Sequence, residues 1–548
     1  MGMYLNSMAA YDAYKEICDS LYFVDKSSML AQIIPRIGTP GKNICITRPR
    51  RFGKSVMANM IAAFFTRGCE AKELFNELDI VKVLTGDSVR KNLNQHNVIH
   101  ISFNEIPRRC RTYEQYISRI ENSLLDDLKT AYPDVCINAN DAVWDVLKKI
   151  YTMDNTARFI FVLDEWDFIF HRDFVTESDK ADYIDFLSNL LKDKPYVSLA
   201  YMTGILPIAK YSSGSELNMF LEYTMASEEM YGDCFGFTES EVDELFDRFL
   251  MNQSNPLVTR EGLRTWYDGY HTKSGERVYN PRSVVVSLTN NNLGNYWTSS
   301  GPYDEIFYYI EQNTAAVRED LARMVSGISV PAKIKEYAAT SMNLTTKDEI
   351  FSAMVVYGFL SYENGCVAIP NRELMDKFSD MLMKEPSLGY MYRLANTSSE
   401  MLKATLEGDA EKVAEIMAFA HNTESPLLSY STESELTVLV TLVYLSARDF
   451  YRIEREDKAG VGYVDFIFYP EVDHSADGII LELKVDHTAE DALQQIKDRQ
   501  YALQFEGKMG EKPKYTGRIL GVGIAYDRAA KRHECKIEVL RKRLTLSK

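Results

Sequence analysis

Mostly apolar runs alternate with amphipathic segments over the first 235 residues. Four of these runs are typical of strands: residues 43–47, 97–103, 159–163 and 196–202. Runs that lack a regular alternation of apolar and polar residues are typical of strands buried on both faces of a parallel sheet. Segments with helical periodicity separate them, as at 112–131. The pattern therefore predicts an α/β domain built on a parallel sheet.

A helical stretch and a second α/β region make up the rest of the chain. An amphipathic segment at 347–359 leads into two apolar runs joined by Asn364-Gly365, a strong signal for a β-hairpin. We expect a winged-helix-like lid here, and one that packs rather than binds DNA, because no basic recognition helix accompanies it. Further apolar runs and helical segments predict a C-terminal α/β sandwich: strands at 462–469, 479–485, 518–526 and 536–540, and helices at 433–447 and 490–505.

A chain of 548 residues is too long for one hydrophobic core. We expect three regions along it. The first, 1–235, is the parallel-sheet domain; the second, 236–425, is the helical lid and linker, including a helical, alanine-rich stretch at 398–421; the third, 426–548, is the C-terminal domain. The fold class predicted for the whole chain is α/β.

Composition and charge argue against some classes of protein. The formal net charge of −17 argues against a protein that coats nucleic acid non-specifically, although basic residues outnumber acidic ones in 511–548. Such a basic run is also compatible with an ordinary solvated face. No apolar run is long enough to cross a bilayer, and the N-terminus has no signal-peptide pattern. We therefore expect a cytoplasmic protein without membrane association.

Cysteine and histidine usage points away from disulfides and zinc. The eight cysteines contain no Cys-x-x-Cys pair, and several lie in apolar runs. Buried free thiols in a reducing compartment are the expected state. The eight histidines do not cluster, which makes a zinc site improbable.

A loop of unusual composition connects the first predicted strand to an amphipathic helix. Its sequence is Arg48-Pro49-Arg50-Arg51-Phe52-Gly53-Lys54-Ser55. The Gly-Lys-Ser end matches the Walker A pattern, in which backbone N–H groups at a helix N-terminus bind nucleotide phosphates. We expect Lys54 to reach the outer phosphates of ATP and Ser55 to ligate Mg²⁺. The pattern requires glycine where this chain has Arg48, so a strict match fails.

Two acids directly follow the third apolar run. They strengthen the interpretation of the 48–55 loop as a phosphate-binding loop. Asp164 and Glu165 follow Leu163 directly. Because parallel sheets bind ligands outside the carboxyl ends of their strands, these acids are expected beside the loop. Asp164 would hold Mg²⁺, and Glu165 would orient or deprotonate the attacking water. Thr203, which ends another strand, could contact that water near the γ-phosphate, although an ordinary strand-ending threonine explains it equally well.

The C-terminal region contains a second candidate site. In the strand 479–485, Glu482 and Lys484 lie on one face, and Asp465 comes from the preceding strand. Burying an acid and a lysine among isoleucine and leucine is costly unless they are paired or bind a metal. Two carboxylates suit Mg²⁺ or Mn²⁺, with Lys484 positioning the nucleophile or a phosphate. The default alternative for so short a pattern is a structural salt bridge.

Several motifs together resemble a known family. They are Asp25-Lys26, the 48–55 loop, Thr203-Gly204-Ile205, Trp266-Tyr267-Asp268-Gly269-Tyr270, Tyr279-Asn280-Pro281-Arg282-Ser283 and Tyr296-Trp297. The chain is similar to bacterial AAA-ATPase-like proteins that carry a PD-(D/E)XK nuclease-like domain at the C-terminus. In that family arginine replaces the first loop glycine, so Arg48 is a family trait. The resemblance implies that Asp465, Glu482 and Lys484 form the nuclease signature, with a further acid at Glu433 or Glu435 and a glutamine at 494–495. Tyr463 departs from the family, which often has arginine there.

The leading hypothesis is an ATPase that controls a metal-dependent nuclease acting on DNA or RNA. An NTP-switched interaction protein whose nuclease-like domain binds without cutting is the alternative. A third class is a degenerate ATPase that binds ATP but does not hydrolyse it. Whether the chain forms a homo-oligomer, in which a neighbouring subunit supplies an arginine, is left open by the sequence.

Overall fold

The structure is a computed structural model of the 548-residue chain. It describes residues 2–138, 140–208, 216–225, 230–297, 310–311, 313–334, 344, 346–422, 433–459, 462–471, 473–506 and 515–544. Two compact units make up the chain. The first consists of Met1–Gln312 with Pro331–Glu373, and the second of Asn313–Val330 with Leu374–Lys548. The finer division at 235 and 425 stays a prediction.

A five-stranded sheet forms the centre of the first unit. Its strands are β1 (Asn43–Thr47), β2 (Asn97–Ser102), β3 (Phe159–Asp164), β4 (Val197–Gly204) and β5 (Leu221–Tyr223). Their order is β2-β3-β4-β1-β5, and neighbouring strands run parallel. Every residue of β1, β3 and β4 is buried. The predicted α/β fold with a parallel sheet is confirmed, and the sheet brings the ends of β1, β3 and β4 to one edge.

Helices cover both faces of this sheet, as apolar strands buried on both sides require. The helices of the first unit are Ala9–Cys18, Leu30–Ile33, Lys54–Phe65, Lys72–Asn76, Ile80–Val83, Gly86–Asn92, Tyr113–Ala131, Val143–Met153, Glu177–Leu191, Glu239–Asn252, Arg260–Tyr267, Pro281–Asn290 and Lys347–Tyr357. Helix Lys54–Phe65 packs into the core with Ile44 and Ile46 of β1 and Leu199 of β4. This packing fixes the direction in which its N-terminus points.

Smaller β-elements follow the main sheet along the chain. β6 (Phe237–Thr238), β7 (Tyr270–His271) and β8 (Arg277–Tyr279) form an antiparallel sheet in the order β6-β8-β7. β9 spans Val330–Pro331. β10 (Ser361–Glu363) and β11 (Cys366–Ala368) pair as the predicted antiparallel hairpin. Its turn residues Asn364 and Gly365 have φ values of 50° and 81°. The helix-then-hairpin order expected at 347–369 is therefore confirmed.

The second unit contains a mixed five-stranded sheet. Its strands are β12 (Tyr451–Ala459), β13 (Gly462–Pro470), β14 (Gly478–Val485), β15 (Ile519–Asp527) and β16 (Arg532–Arg541), in sequential order. β14 and β15 run parallel, and the other neighbours are antiparallel. The helices are Thr314–Val325, Arg372–Lys384, Tyr390–Glu407, Ala410–Asn422, Glu433–Val443 and Ala489–Asp498; the first two residues of Arg372–Lys384 belong to the first unit.

The structure refines the sequence-based prediction at three places. The stretch at 398–421 is helical as expected and is divided into two helices, because Gly408 adopts a left-handed φ of 81° and ends the first one. The helix expected at 490–505 ends at Asp498 and is followed by a short 3₁₀ turn, Tyr501–Glu506. Strand β12 was not predicted, because charged residues fill most of its centre.

Two compositional expectations can be compared with the structure. All eight cysteines are free, but only Cys45, Cys69 and Cys234 are buried, so burial holds for fewer thiols than expected. Among the described residues, no helix combines the length and the apolar character needed to cross a membrane.

Candidate functional site

The backbone of the loop between β1 and helix Lys54–Phe65 has positive φ values at a glycine and at an arginine. Gly53, at the N-cap, has a left-handed φ of 86°, a conformation that suits glycine. Arg51 also has a positive φ, of 70°, which is uncommon for a residue with a side chain. The helix then begins at Lys54 and Ser55. The Gly-Lys-Ser end of the loop thus lies at a helix N-terminus, as the motif requires.

Lys54 is buried inside its own loop. Its Nζ donates hydrogen bonds to the backbone carbonyls of Arg48 (2.9 Å) and Pro49 (2.8 Å). Burial lowers the pKa of this ammonium to about 8, although the negative charges of Asp167 and Asp164 act to raise it. An ammonium with a lowered pKa and acidic neighbours gains from a nearby phosphate, because the phosphate supplies further negative charge.

Arg48 performs a different task from the one its position in the motif suggests. Its guanidinium donates to the carbonyls of Thr47 (2.8 Å), Tyr223 (2.9 Å) and Tyr231 (3.1 Å) and lies over the ring of Phe235. The residue is only 2% exposed. Arg48 therefore ties the start of the loop to the end of β5 and the segment that follows it.

The middle of the loop contains positively charged arginines followed by a buried phenylalanine. Phe52 is buried, and its ring meets that of Tyr270 edge-on at 5.0 Å. Arg51 is partly desolvated, and burial together with the neighbouring charges of Arg282 and Arg50 lowers its pKa. A group of neighbouring positive charges favours binding of an anion between them.

Asp164 comes against the loop from the end of β3. It pairs in register with Thr203 of β4, and the Ser55 hydroxyl and the Lys54 ammonium lie near its carboxylate. Burial raises the pKa of this carboxyl to about 6; the nearby Ser55 hydroxyl and the charge of Lys54 work in the opposite direction. The structure thus brings Lys54, Ser55 and Asp164 together as predicted, with donor atoms that suit Mg²⁺.

Glu165 and Thr203 complete this edge of the sheet. Glu165 has a left-handed φ of 52°, a strained conformation of the kind that clusters at functional sites. Thr203 is fully buried, and its hydroxyl has no hydrogen-bond partner in the part of the chain that the structure describes. A buried hydroxyl without a partner costs free energy, so its presence calls for an explanation such as a ligand.

Asp167 is a site residue that sequence reasoning missed. Its carboxylate accepts hydrogen bonds from the backbone N–H groups of Ile205 (2.9 Å) and Leu206 (2.7 Å), just after β4. It is buried, and burial raises its pKa. Asp167 therefore ties the segment after β3 to the segment after β4. A signal was present in the sequence, since a second aspartate follows Asp164 closely within Asp-Glu-Trp-Asp.

A small cleft of about 40 Å³, which opens to solvent, adjoins the start of the loop. It lies at the carboxyl ends of β4, β1 and β5, the edge where parallel sheets bind ligands. Much of its lining is apolar, including Pro49, Pro207, Val355, Val356 and Leu360. Thr47 and Thr224 contribute polar groups.

The second candidate site lies on the sheet of the second unit. Phe466 of β13 pairs with Leu481 of β14, which places Asp465 across from Glu482. Asp465 Oδ2 accepts a hydrogen bond from the Leu483 N–H at 2.7 Å. The two predicted carboxylates are thus brought together at the point where β13 and β14 begin to separate.

Glu482 is the buried centre of this site. Its Oε1 accepts hydrogen bonds from Lys484 Nζ (3.1 Å) and from the side-chain amide of Gln495. Its Oε2 is buried without a partner among the described residues. Burial, and then the charge of Asp465, raises the pKa of Glu482 to about 7, while Lys484 acts to lower it. An orphaned carboxylate oxygen beside a second carboxylate fits a divalent cation, which would satisfy both.

A glycine lets the neighbouring helix reach Glu482. Gly523 of β15 pairs with Glu482, and a Cβ at Gly523 would lie 2.3 Å from the Ala489 carbonyl. Helix Ala489–Asp498 therefore lies close against the sheet, which brings Gln495 to the site. Gln494 instead bonds Asp498. Of the two glutamines indicated by the sequence, Gln495 is the one at the site.

The further acid that the resemblance implies, Glu433 or Glu435, stays a prediction. The side chains of Glu433 and Tyr463 lie outside the described residues. Within the described ranges, no group of three or more His, Cys, Asp or Glu side chains could hold a metal. Asp465 and Glu482 are the two carboxylates that the pairing of β13 and β14 brings together at this site.

Known families match both units. Residues 10–213 match the AAA-ATPase-like family, described as predicted AAA-ATPase, and residues 433–524 match the PD-(D/E)XK nuclease superfamily. A protein of Azotobacter chroococcum, described as an uncharacterized protein in the vnfD 5′ region, is 28% identical over 289 residues. The match covers 52% of this chain and 51% of that protein, so the chain spans about half the length of this relative.

Two solved structures are also similar. The Walker-type ATPase PABY2304 of Pyrococcus abyssi is 12% identical, with a TM-score of 0.35, and the match covers 64% of this chain and 94% of that one. The ORC2 protein of Aeropyrum pernix, in ADPNP–ADP complexes, is 10% identical, with a TM-score of 0.26 and coverage of 68% and 93%. These scores carry no argument about function. By its family matches, the chain combines an AAA-ATPase-like domain with a C-terminal domain of the PD-(D/E)XK nuclease superfamily.

Proposed function

We propose that this protein binds and hydrolyses ATP in its first unit and cleaves nucleic-acid phosphodiester bonds in its second. The observation that carries the ATPase assignment is the proximity of Asp164, at the end of β3, to buried Lys54 and to Ser55, the first two residues of the helix after the loop. This arrangement joins the phosphate-binding helix terminus to the acid that ends β3, and both halves are needed for nucleotide hydrolysis.

Each residue of the first site has a defined task in this proposal. Lys54 exchanges its loop carbonyls for the β- and γ-phosphates, and backbone N–H groups of residues 51–55 bind phosphate oxygens. Ser55 and Asp164 would hold Mg²⁺, which neutralises charge that develops on the phosphates. Glu165 orients the attacking water and accepts its proton, and the Thr203 hydroxyl donates to that water or to the γ-phosphate.

The apolar cleft beside the loop suits the base of the nucleotide. It lies at the same edge of the sheet, and its walls of proline, valine and leucine would shield a planar ring from water. Arg50 and Arg51 add positive charge near the phosphates, in keeping with the lowered pKa of Arg51. We therefore expect the base and the phosphates of ATP to make separable contributions to binding.

The second site would use Asp465 and Glu482 to hold Mg²⁺ or Mn²⁺. A divalent ion bound there supplies a water of lowered pKa and offsets charge on the phosphodiester. Lys484 lies 3.1 Å from Glu482, close enough to position the nucleophile or to contact the phosphate. Gln495 holds Glu482 in place. The excess of basic residues in 511–548 supports DNA or RNA as the substrate.

A specific observation supports one alternative. Within the described residues, two carboxylates and no third acid, histidine or cysteine come together at Glu482. A site with so few ligands could bind nucleic acid or a partner without cutting, under control of the nucleotide state. The degenerate ATPase is a separate possibility for the first unit, with ATP bound and no phosphate released.

Two sets of assays test these assignments. For the ATPase, Lys54→Ala and Asp164→Asn should abolish phosphate release, and undiminished turnover in either variant would refute the assignment. For the nuclease, plasmid and oligonucleotide substrates are incubated with Mg²⁺ or Mn²⁺, with and without ATP. Cleavage by the wild type and none by Lys484→Ala would eliminate the binding-only alternative.

A further inference from the structure

The phosphate loop lacks most of the glycines that usually shape such loops, so its shape depends on residues from elsewhere in the first unit. The indole N–H of Trp297 donates to the Arg50 carbonyl at 3.1 Å. Pro49 packs against Gly358, where an added Cβ would lie 2.6 Å from the proline Cβ. Together with the ring contact to Phe52, these supports hold the middle of the loop from outside.

Trp297 is in turn held by a buried carboxylate. Glu373 Oε1 accepts hydrogen bonds from the backbone N–H groups of Tyr296 and Trp297, and its Oε2 accepts one from the Ser283 hydroxyl at 2.9 Å. Asn295 also donates from its side chain to the Glu373 carbonyl at 3.0 Å. Glu373 is 2% exposed. A buried carboxylate with this many donors fixes the segment that carries Trp297.

The contact at Arg50 has a consequence for phosphate binding. A trans peptide is planar, so its carbonyl and the following N–H point in opposite directions. By holding the Arg50 carbonyl, Trp297 also sets the direction of the Arg51 N–H, one of the loop amides available to a phosphate. Two hydrogen bonds thus connect Glu373 to the phosphate-binding backbone: Glu373 to the Trp297 N–H, and the Trp297 indole to the Arg50 carbonyl.

We propose that Glu373 and Trp297 are positioning residues that preset the phosphate loop for the nucleotide. This inference rests on the proposed ATP-binding function of the same loop. Glu373 is also the last residue of the first unit, and helix Arg372–Lys384 continues from it into the second. A residue that orders the loop therefore stands where the chain passes from one unit to the other.

The test uses the full chain and two conservative substitutions. Trp297→Phe removes the indole N–H but keeps a ring, and Glu373→Gln keeps the shape of the side chain but removes its charge. Matched controls are Trp144→Phe and Glu121→Gln. The Trp144 ring contacts Phe186 in another part of the unit, and Glu121 lies on helix Tyr113–Ala131. Each protein is measured for the Kd of Mg·ATP, for KM and kcat of hydrolysis, and for thermal stability without nucleotide.

We expect Trp297→Phe and Glu373→Gln each to raise Kd and KM by about five- to tenfold, as loss of one hydrogen bond implies, with a smaller change in kcat. The double variant should be less than additive, because both residues act through one contact. A purely structural role would instead lower kcat per mole of protein and leave KM unchanged. That result, or a Kd equal to that of the controls, would overturn the inference.

A second measurement does not require ATP. It tests the inference even if a variant is less stable than the wild type. Hydrogen exchange of the amides at 50–55 in nucleotide-free protein should be faster in Trp297→Phe than in Trp144→Phe, even after normalisation to a core strand such as β4. Equal exchange would overturn the positioning role. If the wild type binds no nucleotide at all, the proposed function fails and this inference fails with it. Wild-type binding that Trp297→Phe leaves unchanged refutes the inference alone.

Discussion

The carboxylate of Asp164 lies close enough to the ammonium of Lys54 to raise its pKa, although the two residues belong to different elements of the sheet domain. Ser55 is the second residue of the helix after β1, and Asp164 ends β3. Strand β4 lies between β1 and β3, so Thr203 lies beside Asp164 at the same edge. This proximity brings the phosphate-binding and metal-binding halves of the candidate ATPase site together.

Thr203→Val separates a functional role of this residue from a structural one. Because the hydroxyl is buried without a partner among the described residues, removing it should leave the free energy of unfolding unchanged or raise it by up to about 1 kcal/mol. Hydrolysis should slow by about ten- to a hundredfold if the hydroxyl acts on the water or the γ-phosphate. Urea unfolding and phosphate release measure the two effects.

The matched control is Thr66→Val, whose hydroxyl donates to the Ala62 carbonyl at 2.6 Å. It should lose about 1 kcal/mol of stability and keep its activity. A Thr203→Val protein that is destabilised like Thr66→Val and still hydrolyses ATP at the wild-type rate would contradict the assignment.

Restoring the missing Walker A glycine should harm this protein. Arg48→Gly leaves the carbonyls of Thr47, Tyr223 and Tyr231 without their donor in a buried place. We expect a loss of about 2 to 4 kcal/mol in the free energy of unfolding. Chemical denaturation followed by circular dichroism measures it. Arg90→Ala, which removes only an exposed ion pair with Asp87, should change stability by less than about 0.5 kcal/mol. Equal effects of the two substitutions would disprove a structural role for Arg48.

Metal binding at Glu482 should depend on pH. The raised pKa of about 7 means that a cation must displace a proton in acidic solution. The apparent Kd for Mn²⁺ should therefore fall by about fivefold from roughly pH 6 to pH 7 and level off above about pH 8. Titration calorimetry on a Lys54→Ala/Asp164→Asn background isolates this site, with Glu482→Gln as the control. A Kd that does not change with pH would be inconsistent with this environment.

The same shift affects stability in the absence of metal. A carboxyl whose pKa is raised on folding binds more protons in the folded state than in the unfolded state. The metal-free protein should lose stability as the pH rises from the ordinary value of 4.5 through about 7. Glu482→Gln should remove this dependence, and the thermal midpoint of the second unit without metal, measured across that range, checks it.

The cleft beside the loop should contribute to binding of the base and not of the phosphates. Val356→Trp fills space between apolar walls without altering the loop. We expect it to raise the Kd of ATP by about tenfold or more and to leave the Kd of inorganic triphosphate unchanged. Competition against a fluorescent ATP analogue measures both constants. Equal loss for ATP and triphosphate would mean that the substitution disturbs the loop, and no loss for either would place the base elsewhere.

Short-range patterns predicted the strands of both sites and the acids Asp164, Asp465 and Glu482, but not Asp167. The apolar runs of β1, β3 and β4 required a buried parallel sheet, and such a sheet places Asp164 beside the loop. The alternation of side chains in β14 likewise placed Glu482 and Lys484 on one face. In both cases the prediction depended only on residues close together in the sequence.

What the sequence did not reveal depends on contacts between distant segments. The partners of Arg48 lie after β5, so its structural task could not be derived from the loop alone. The choice of Gln495 over Gln494 depends on how closely the helix approaches Gly523. Trp297 donates to the loop at Arg50 and, through its backbone N–H, to Glu373, and both partners are distant from it in the sequence. No local pattern encodes such contacts.

One measurement tests the central claim, that a nucleotide site and a metal-dependent nuclease site work in the same chain. Cleavage of a plasmid with Mg²⁺ or Mn²⁺ is followed with and without ATP, in the wild type and in Lys54→Ala, Asp164→Asn and Lys484→Ala. The account predicts cleavage by the wild type that changes with ATP, loss of that ATP response in Lys54→Ala and Asp164→Asn, and no cleavage by Lys484→Ala. Cleavage that persists in Lys484→Ala, or wild-type protein that neither cuts nucleic acid nor hydrolyses ATP, would contradict it.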